Sequence, residues 1–369
     1  MGSIIVNATA MGEGGALTIL TQLVRNIGPE DGDFIIFIPY GLDLDKYQKN
    51  NIKLIKLDVK SWFKRIAWDN YGLNKWILER NLTPSFIISM QNTSIYTSNK
   101  IPQLIYLHQP IPFSSHKWSF YKKEELKLFL YKHFYNYFIF RNSNKSTTFV
   151  VQTDWMKKAL INKGVASTSV YIIKPSINDI IIKSDETYQI TNNKKIIFYP
   201  ATPFVYKNHV EIIKAIGHLK SVGVNTSNIS CVFTFGKDKG KHLVDLIEKL
   251  NVSENFDFVG ELPINTVMSI YKASHAVVFP SYIETFGLPL LEAAAFGKHI
   301  LAADEPYARE VLDEYSGVDF LKINNPSLWA NKILEAIKSE TTHQPLVIKS
   351  EHSWSDFFKI VNEEITSKK

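Results

Sequence analysis

The chain has 369 residues, 45% of them apolar and 21% charged, with a net charge of +6. That length is too great for one hydrophobic core, so about two domains are expected, and the composition is that of an ordinary globular protein. No apolar run approaches the ~18 residues of a spanning helix, the start "MGSIIVNATAMGEGG" lacks a signal-peptide pattern, and a single cysteine, Cys231, excludes an internal disulfide and a cysteine-based metal site. These features fit a reducing cytoplasm. The positive balance favours an anionic partner: nucleic acid, membrane surface or phosphorylated ligand. A compositional bias toward lysine is the bland alternative.

In chain order, apolar runs read as strands at 3–8, 34–39, 53–57, 86–90, 103–108, 148–153 and 169–174. After a break they recur at 195–200, 230–236, 256–260, 276–280 and 299–303. Helical patterns fall at 16–26, 153–163, 210–222, 240–250, 263–273, 289–296 and 327–340. Most strand runs are uninterrupted, as in strands covered on both faces, and the alternation argues for parallel α/β layers. The break is "IIKPSINDI" (172–180), where Pro175 and the loss of periodicity place a boundary near Lys174–Asn178. The expected organisation is one Rossmann-like domain over 1–174 and a second over 179–345. A helix within 350–369 is expected to pack back near the N-terminal domain. Ligands of open parallel sheets bind beyond the carboxyl ends of strands, so two such domains would face each other across a cleft.

The stretch "SYIETFGLPLLEAAAFGK" (281–298) holds two acids, Glu284 and Glu292, in a nearly uncharged run. A strand precedes it, Pro289 suits a helix start, and Gly297 suits a helix stop. Glu284 then lies in the strand-to-helix turn and Glu292 about a turn inside the helix, so they share no face and form no acid/base dyad. Between them the backbone N–H groups of Phe286, Gly287 and Leu288 open a helix, which suits phosphate, and Gly287 permits close approach. A ligand with phosphates in the middle and hydroxyls at both ends is a nucleotide sugar, with Glu284 on the sugar and Glu292 on the ribose. The bland alternative is a turn cap and a solvated helix residue.

"PSYIETFGLPLLEAAAFGKHILAAD", with "FDFVGELPINTVMSIYKASHAVVFP" upstream, resembles the donor-binding region of retaining glycosyltransferases of family 4. That family has the GT-B fold, two Rossmann-like parallel-sheet domains facing across a cleft. The resemblance implies a bacterial surface-polysaccharide enzyme, of O-antigen type, working without metal or other cofactor. Lys207 in "ATPFVYKNHVEIIKA" matches the family's diphosphate lysine, whereas Thr202 stands where an arginine is usual and cannot make a bidentate phosphate contact. His108 in "LIYLHQPIPF" resembles the N-domain histidine that reaches the donor sugar, and the bland reading is a histidine satisfying a strand-end carbonyl. Gly14 and Gly15, with Gly12, form a loop resembling one beside the diphosphate, although the spacing is not G-x-G-x-x-G. The run from Val259 to Leu262 resembles the stretch whose backbone pairs with the base, and Glu310 matches a recurrent glutamate.

The segment 116–145 is basic and aromatic. Helical spacing would gather Phe120, Leu126, Leu130, Phe134 and Tyr137 on one side, with Lys122, Lys123, Lys127 and Lys132 around it. Core packing, contact with an anionic membrane, and stacking on nucleic acid are the three uses such a segment can have. The expected function is transfer of a sugar, mannose or another hexose, from a nucleoside-diphosphate donor to a glycan or polyprenyl-linked acceptor. Retention is guided by the diphosphate, His108, Glu284 and Lys207 carry the chemistry, and nucleic acid is not a partner. The expected place is the cytoplasm, at the inner face of the plasma membrane where the acceptor is lipid-linked. The rivals are a sugar-nucleotide epimerase of similar fold and an inactive transferase-like partner subunit.

Overall fold

A computed structural model describes residues 2–175, 194–339, 343–347 and 354–367. The chain divides into two compact units, Met1–Pro175 together with Glu351–Lys369, and Ser176–Ser350. The stretch 176–178 of the expected boundary, the start of the expected second domain through residue 193, and residues 350–353 and 368–369 of the segment expected to hold the final helix lie outside the described residues.

The first unit is a sheet of seven parallel strands: β1 (Ile4–Asn7), β2 (Phe34–Pro39), β3 (Ile52–Leu57), β4 (Phe86–Ser89), β5 (Gln103–Tyr106), β6 (Thr148–Val151) and β7 (Val170–Ile172). Their order is β3-β2-β1-β4-β5-β6-β7, with Ile4 opposite both Phe34 and Phe86. Side chains alternate across the sheet plane with period two. Ile4, Val6, Ile36 and Ile88 therefore enter one core, and Ile5, Phe37 and Ile87 enter another. The first core is covered by the helices Gly14–Asn26 and Trp354–Ser367. Trp354, Phe357, Phe358, Val361 and Ile365 are buried there, and their spacing of three and four residues makes one helix face.

Sequence reading missed the turns between β3 and β4. A helix Trp62–Ala67, capped by Ser61 accepting from the Lys64 N–H at 3.2 Å, runs into a π turn Trp68–Gly72 and a helix Leu73–Glu79. The π turn widens the coil by one residue, which carries Asp69 and Asn70 inward.

The second unit is a sheet of six parallel strands: β8 (Lys195–Tyr199), β9 (Ile229–Phe233), β10 (Phe256–Phe258), β11 (Ala276–Phe279), β12 (His299–Ala303) and β13 (Val318–Leu321). Their order is β10-β9-β8-β11-β12-β13. This is the doubly wound arrangement, and the direction of winding reverses between β8 and β11, where the loops beyond the two strands part. β13 was not anticipated: Asp319 interrupts its four residues and it lies at the sheet edge.

Candidate functional site

The reversal point of the second unit gathers the most distinctive residues of the chain. Beyond β8 a short 3-10 turn, Val205–Lys207, leads to Asn208 in the left-handed region at φ 56° and then to the helix His209–Ser221. Beyond β11, residues 280–287 lead through Gly287, at φ 91°, to the helix Leu288–Ala295. Because β8 and β11 are neighbours in the sheet, the two loops emerge side by side. They are stitched together by the Tyr282 N–H donating to the Tyr206 carbonyl at 3.0 Å and by Ser281 Oγ donating to the same carbonyl at 3.2 Å.

This stitching sets Lys207 Nζ 2.5 Å from Glu284 Oε1. Ser281 Oγ lies 2.7 Å from the same carboxylate oxygen. Both charged side chains are about seven-eighths buried, at 15% and 14% exposure. Lys207 Nζ also stands over the rings of Tyr206 and Phe279 at 5.6 and 5.7 Å. Tyr199 donates to the Lys207 carbonyl at 2.6 Å, and Tyr307 donates to the Ser281 carbonyl at 2.5 Å. Burial first, then the charge of Glu284, keeps the phenols of Tyr199, Tyr206 and Tyr307 protonated well beyond the usual range. Tyr199 and Tyr307 are thus neutral donors that fix backbone beneath the ion pair. Ser281 and the three tyrosines were not singled out from sequence, since tyrosines after apolar runs look like core.

Phe286 is buried, and Gly287 sits where a Cβ would meet Leu290 and Tyr307 at 3.3 Å. Leu288 opens the helix, with Pro289 in its first turn. The helix closes on Gly297 at φ 63°, whose N–H bonds the Ala294 carbonyl at 3.0 Å while the Lys298 N–H bonds Ala293 at 3.1 Å. This is the paired closure that a left-handed residue permits. Glu292 lies on the inward side of the helix: it is 8% exposed, and Oε2 accepts from the Tyr271 hydroxyl at 2.9 Å. Burial pushes its carboxyl up to about 7. It is therefore no solvated helix residue.

Thr202 is exposed, and its carbonyl accepts the Phe204 N–H at 2.8 Å. Val259 follows β10, its N–H bonded to the Phe233 carbonyl at 3.0 Å, and Leu262 follows Gly260 at φ 76°. Glu310 lies in the helix Pro306–Val311.

Residues 181–353 match the family model described as glycosyl transferases group 1. The match lies almost wholly in the second unit, which resembles a group 1 glycosyl transferase domain. The chain is 30% identical over 117 residues to the D-inositol 3-phosphate glycosyltransferase of Corynebacterium diphtheriae, covering 31% of this chain and 27% of that protein. It is 25% identical over 179 residues to the O-antigen chain mannosyltransferase RfbU of Salmonella typhimurium, covering 44% of this chain and 49% of that protein. The chain thus spans about a quarter to half the length of these relatives. Over both units the fold is that of GT-B glycosyltransferases. The Anabaena Alr3699/HepE structure with UDP and glucose has a TM-score of 0.68 at 14% identity, covering 100% of both chains. WaaG, a glycosyltransferase involved in lipopolysaccharide biosynthesis, has a TM-score of 0.63 at 15% identity, covering 99% of this chain and 94% of that one.

In the first unit the winding reverses between β1 and β4. Gly14, at φ 55°, begins the helix after β1, with Gly15 next to it. His108 lies two residues beyond β5, half-buried, with Nε2 3.0 Å from the Met90 carbonyl and its N–H 2.6 Å from Asn92 Oδ1. Nε2 also lies 3.4 Å from Asn92 Nδ2, but its shorter contact is to a carbonyl, which only accepts, so Nε2 is assigned the proton and Nδ1 is the ring's acceptor. Burial lowers the pKa of His108 and so favours the neutral ring, against the pull of the Met90 bond, which favours the charged one.

Sequence reading missed Asp69 altogether. Its carboxylate is buried and accepts from Asn7 Nδ2 at 2.7 Å, Gln91 Nε2 at 3.2 Å and Thr93 Oγ1 at 2.7 Å. It ties the ends of β1 and β4 together, and burial raises it to about 7 despite those bonds and the nearby Arg65 charge. No spacing in the sequence signals it, because its partners come from two strand ends far from residue 69.

Proposed function

We propose that the chain transfers a hexose from a nucleoside-diphosphate sugar to a glycan or polyprenyl-linked acceptor, with retention of configuration and without a metal. The observation that carries the reading is the Lys207–Glu284 pair at the winding reversal of the transferase domain. Lys207 and the N–H groups opening the Leu288–Ala295 helix are assigned to the diphosphate, where they stabilise the negative charge that grows on the leaving group. Glu284 accepts hydroxyls of the sugar and Glu292 is assigned to the ribose. Gly14, Gly15, Thr202 and the Val259–Leu262 backbone are carried as donor contacts, and His108 as a hydroxyl acceptor through Nδ1. The sugar C1–phosphate oxygen bond breaks, the acceptor oxygen bonds C1 on the same face, and the acceptor proton passes to the departing diphosphate. The cytoplasm, at the inner membrane face, is the working place this acceptor class implies.

The test is transfer from a panel of labelled nucleotide sugars, after ligand-detected NMR has selected the donor. Lys207→Ala and Glu292→Ala are expected to weaken donor binding, and Glu284→Ala to abolish transfer with binding kept. Wild-type activity in Lys207→Ala and Glu292→Ala would sink the reading. The exposed Thr202 in place of arginine favours one second reading, an inactive transferase-like subunit. Calorimetry showing no heat with any nucleoside diphosphate would select it.

A further inference from the structure

The helix Ile264–Ala273 buries Met268, Ser269, Ile270 and Tyr271 on its inner side. The Tyr271 ring meets Phe198 of β8 edge-on at a centroid distance of 5.0 Å. Phe296, which closes the Leu288–Ala295 helix, lies nearly parallel to it at 5.9 Å. These two contacts, of different geometry, fix the ring plane and with it the place of the hydroxyl. That hydroxyl lies 2.9 Å from Glu292 Oε2 and 3.2 Å from the Pro289 carbonyl, both in the helix that opens at Leu288.

Core packing alone does not call for the hydroxyl. A phenylalanine would fill the same aromatic stack, and a buried phenol is costly unless it is bonded. Its partner is an acid that burial tends to neutralise. The Tyr271 bond works against that rise and so favours the charged carboxylate. The phenol itself is held well above its usual range, first by burial and then by the Glu292 charge, so it stays a donor. Oε2 is thus engaged from within the protein. No hydrogen bond to Oε1 is made among the described residues, and Glu292 keeps 8% exposure.

We propose that Tyr271 is a positioning residue: its hydroxyl holds Oε2 so that Oε1 of Glu292 is presented to the ribose hydroxyls of the nucleotide. The inference rests on the assignment of Glu292 to the ribose and adds the group that orients the acid there. A carboxylate tethered at one oxygen has its torsion set before the ligand arrives, so binding orders less of the side chain. A charged carboxylate is acceptor-only, and ribose hydroxyls supply the donors it lacks. A bond that merely satisfied a buried acid would serve every nucleotide alike. A positioning bond serves only a nucleotide that carries those hydroxyls.

The experiment is calorimetry of the full chain with UDP, GDP and ADP, each set against its dideoxyribose counterpart. The parent is expected to bind at least one ribonucleotide about tenfold more tightly than the dideoxy form. Tyr271→Phe keeps the ring stack and removes only the hydroxyl. It should lower affinity for that ribonucleotide about tenfold and change affinity for the dideoxy form less than about twofold, so the ribose preference collapses. In a Glu292→Ala background the same change should cost less than about twofold, because the group it positions is gone. Phe296→Leu loosens the ring and leaves the hydroxyl in place. It should lower the preference about threefold, and it carries the test if Tyr271→Phe does not fold. A ribose preference unchanged in Tyr271→Phe and Phe296→Leu would overturn the proposal. Equal losses on the ribose and dideoxyribose ligands, the mark of a purely structural tyrosine, would overturn it too. A parent that binds no nucleoside diphosphate at all sinks the transferase reading itself and this inference with it, so the two failures are told apart.

Discussion

Lys207 and Glu284 neutralise each other inside a nearly dry loop pair, so removing one partner leaves the other charge stranded with little water. Lys207→Ala and Glu284→Ala are each expected to cost about 3 kcal/mol in urea unfolding. The double variant should cost clearly less than the sum, because the cycle isolates a coupling of roughly 1–3 kcal/mol. Additive losses would show that the pair is not coupled. Gly287 makes a different demand. Its φ of 91° lies where side chains are strained, and the two 3.3 Å approaches would make Leu290 and Tyr307 give way to a methyl group by a few tenths of an ångström. Gly287→Ala should therefore lose about 1–3 kcal/mol and weaken nucleoside-diphosphate binding in calorimetry as the helix start shifts. Unchanged stability and affinity would mean that the turn relaxes.

At the scale of elements, the Trp354–Ser367 helix is held by a dense apolar face. Phe357 is fully buried, and Phe358 meets Phe34 edge-on at a ring separation of 6.1 Å. Phe357→Ala should destabilise the first unit by about 3–5 kcal/mol, read from its urea midpoint. Elements like this were legible in the sequence because their periodicity is strong. The five predicted strands 195–200 to 299–303 coincide with β8 to β12 within a few residues, since apolar runs buried on both faces announce themselves. β13 escaped because an edge strand with Asp319 carries no such run. The coil from Trp62 to Glu79 escaped because Gly72 and a polar "DNY" interrupt its pattern. That glycine is packed under a tryptophan: a Cβ there would lie 2.5 Å from the Trp68 ring. In the candidate site, Lys207, Glu284 and Gly287 were legible through motif and turn chemistry. Ser281, Tyr199, Tyr307 and Asp69 were not, because their roles depend on which strand ends the topology makes neighbours.

At the scale of the molecule, two buried carboxyls bias the stability profile. Asp69 and Glu292 are both raised to about 7, first by burial. Unfolded, such groups titrate near 4, so between about pH 4 and 7 the folded chain holds protons that the unfolded chain has lost. Their contribution is whole below that window and is lost as pH rises through it. Buried histidines oppose this: His108 and His209, lowered chiefly by burial, favour the folded state as pH rises. The difference between variant and parent therefore reads the carboxyls alone. Asp69→Asn/Glu292→Gln should lose less stability than the parent on going from about pH 5 to pH 8, measured as the slope of unfolding free energy against pH. Identical slopes would show that neither carboxyl holds a proton in that range.

The chain leaves its first sheet after Pro175 and supplies that sheet's remaining cover only from residue 354 onward. A ribosome making this protein therefore releases all seven strands of the first sheet long before Trp354, Phe357 and Phe358 exist. The intervening domain has everything it needs sooner and can finish first, while a bare aromatic-sized gap waits on its elder neighbour. During synthesis that gap is the place where a chaperone would find its handhold.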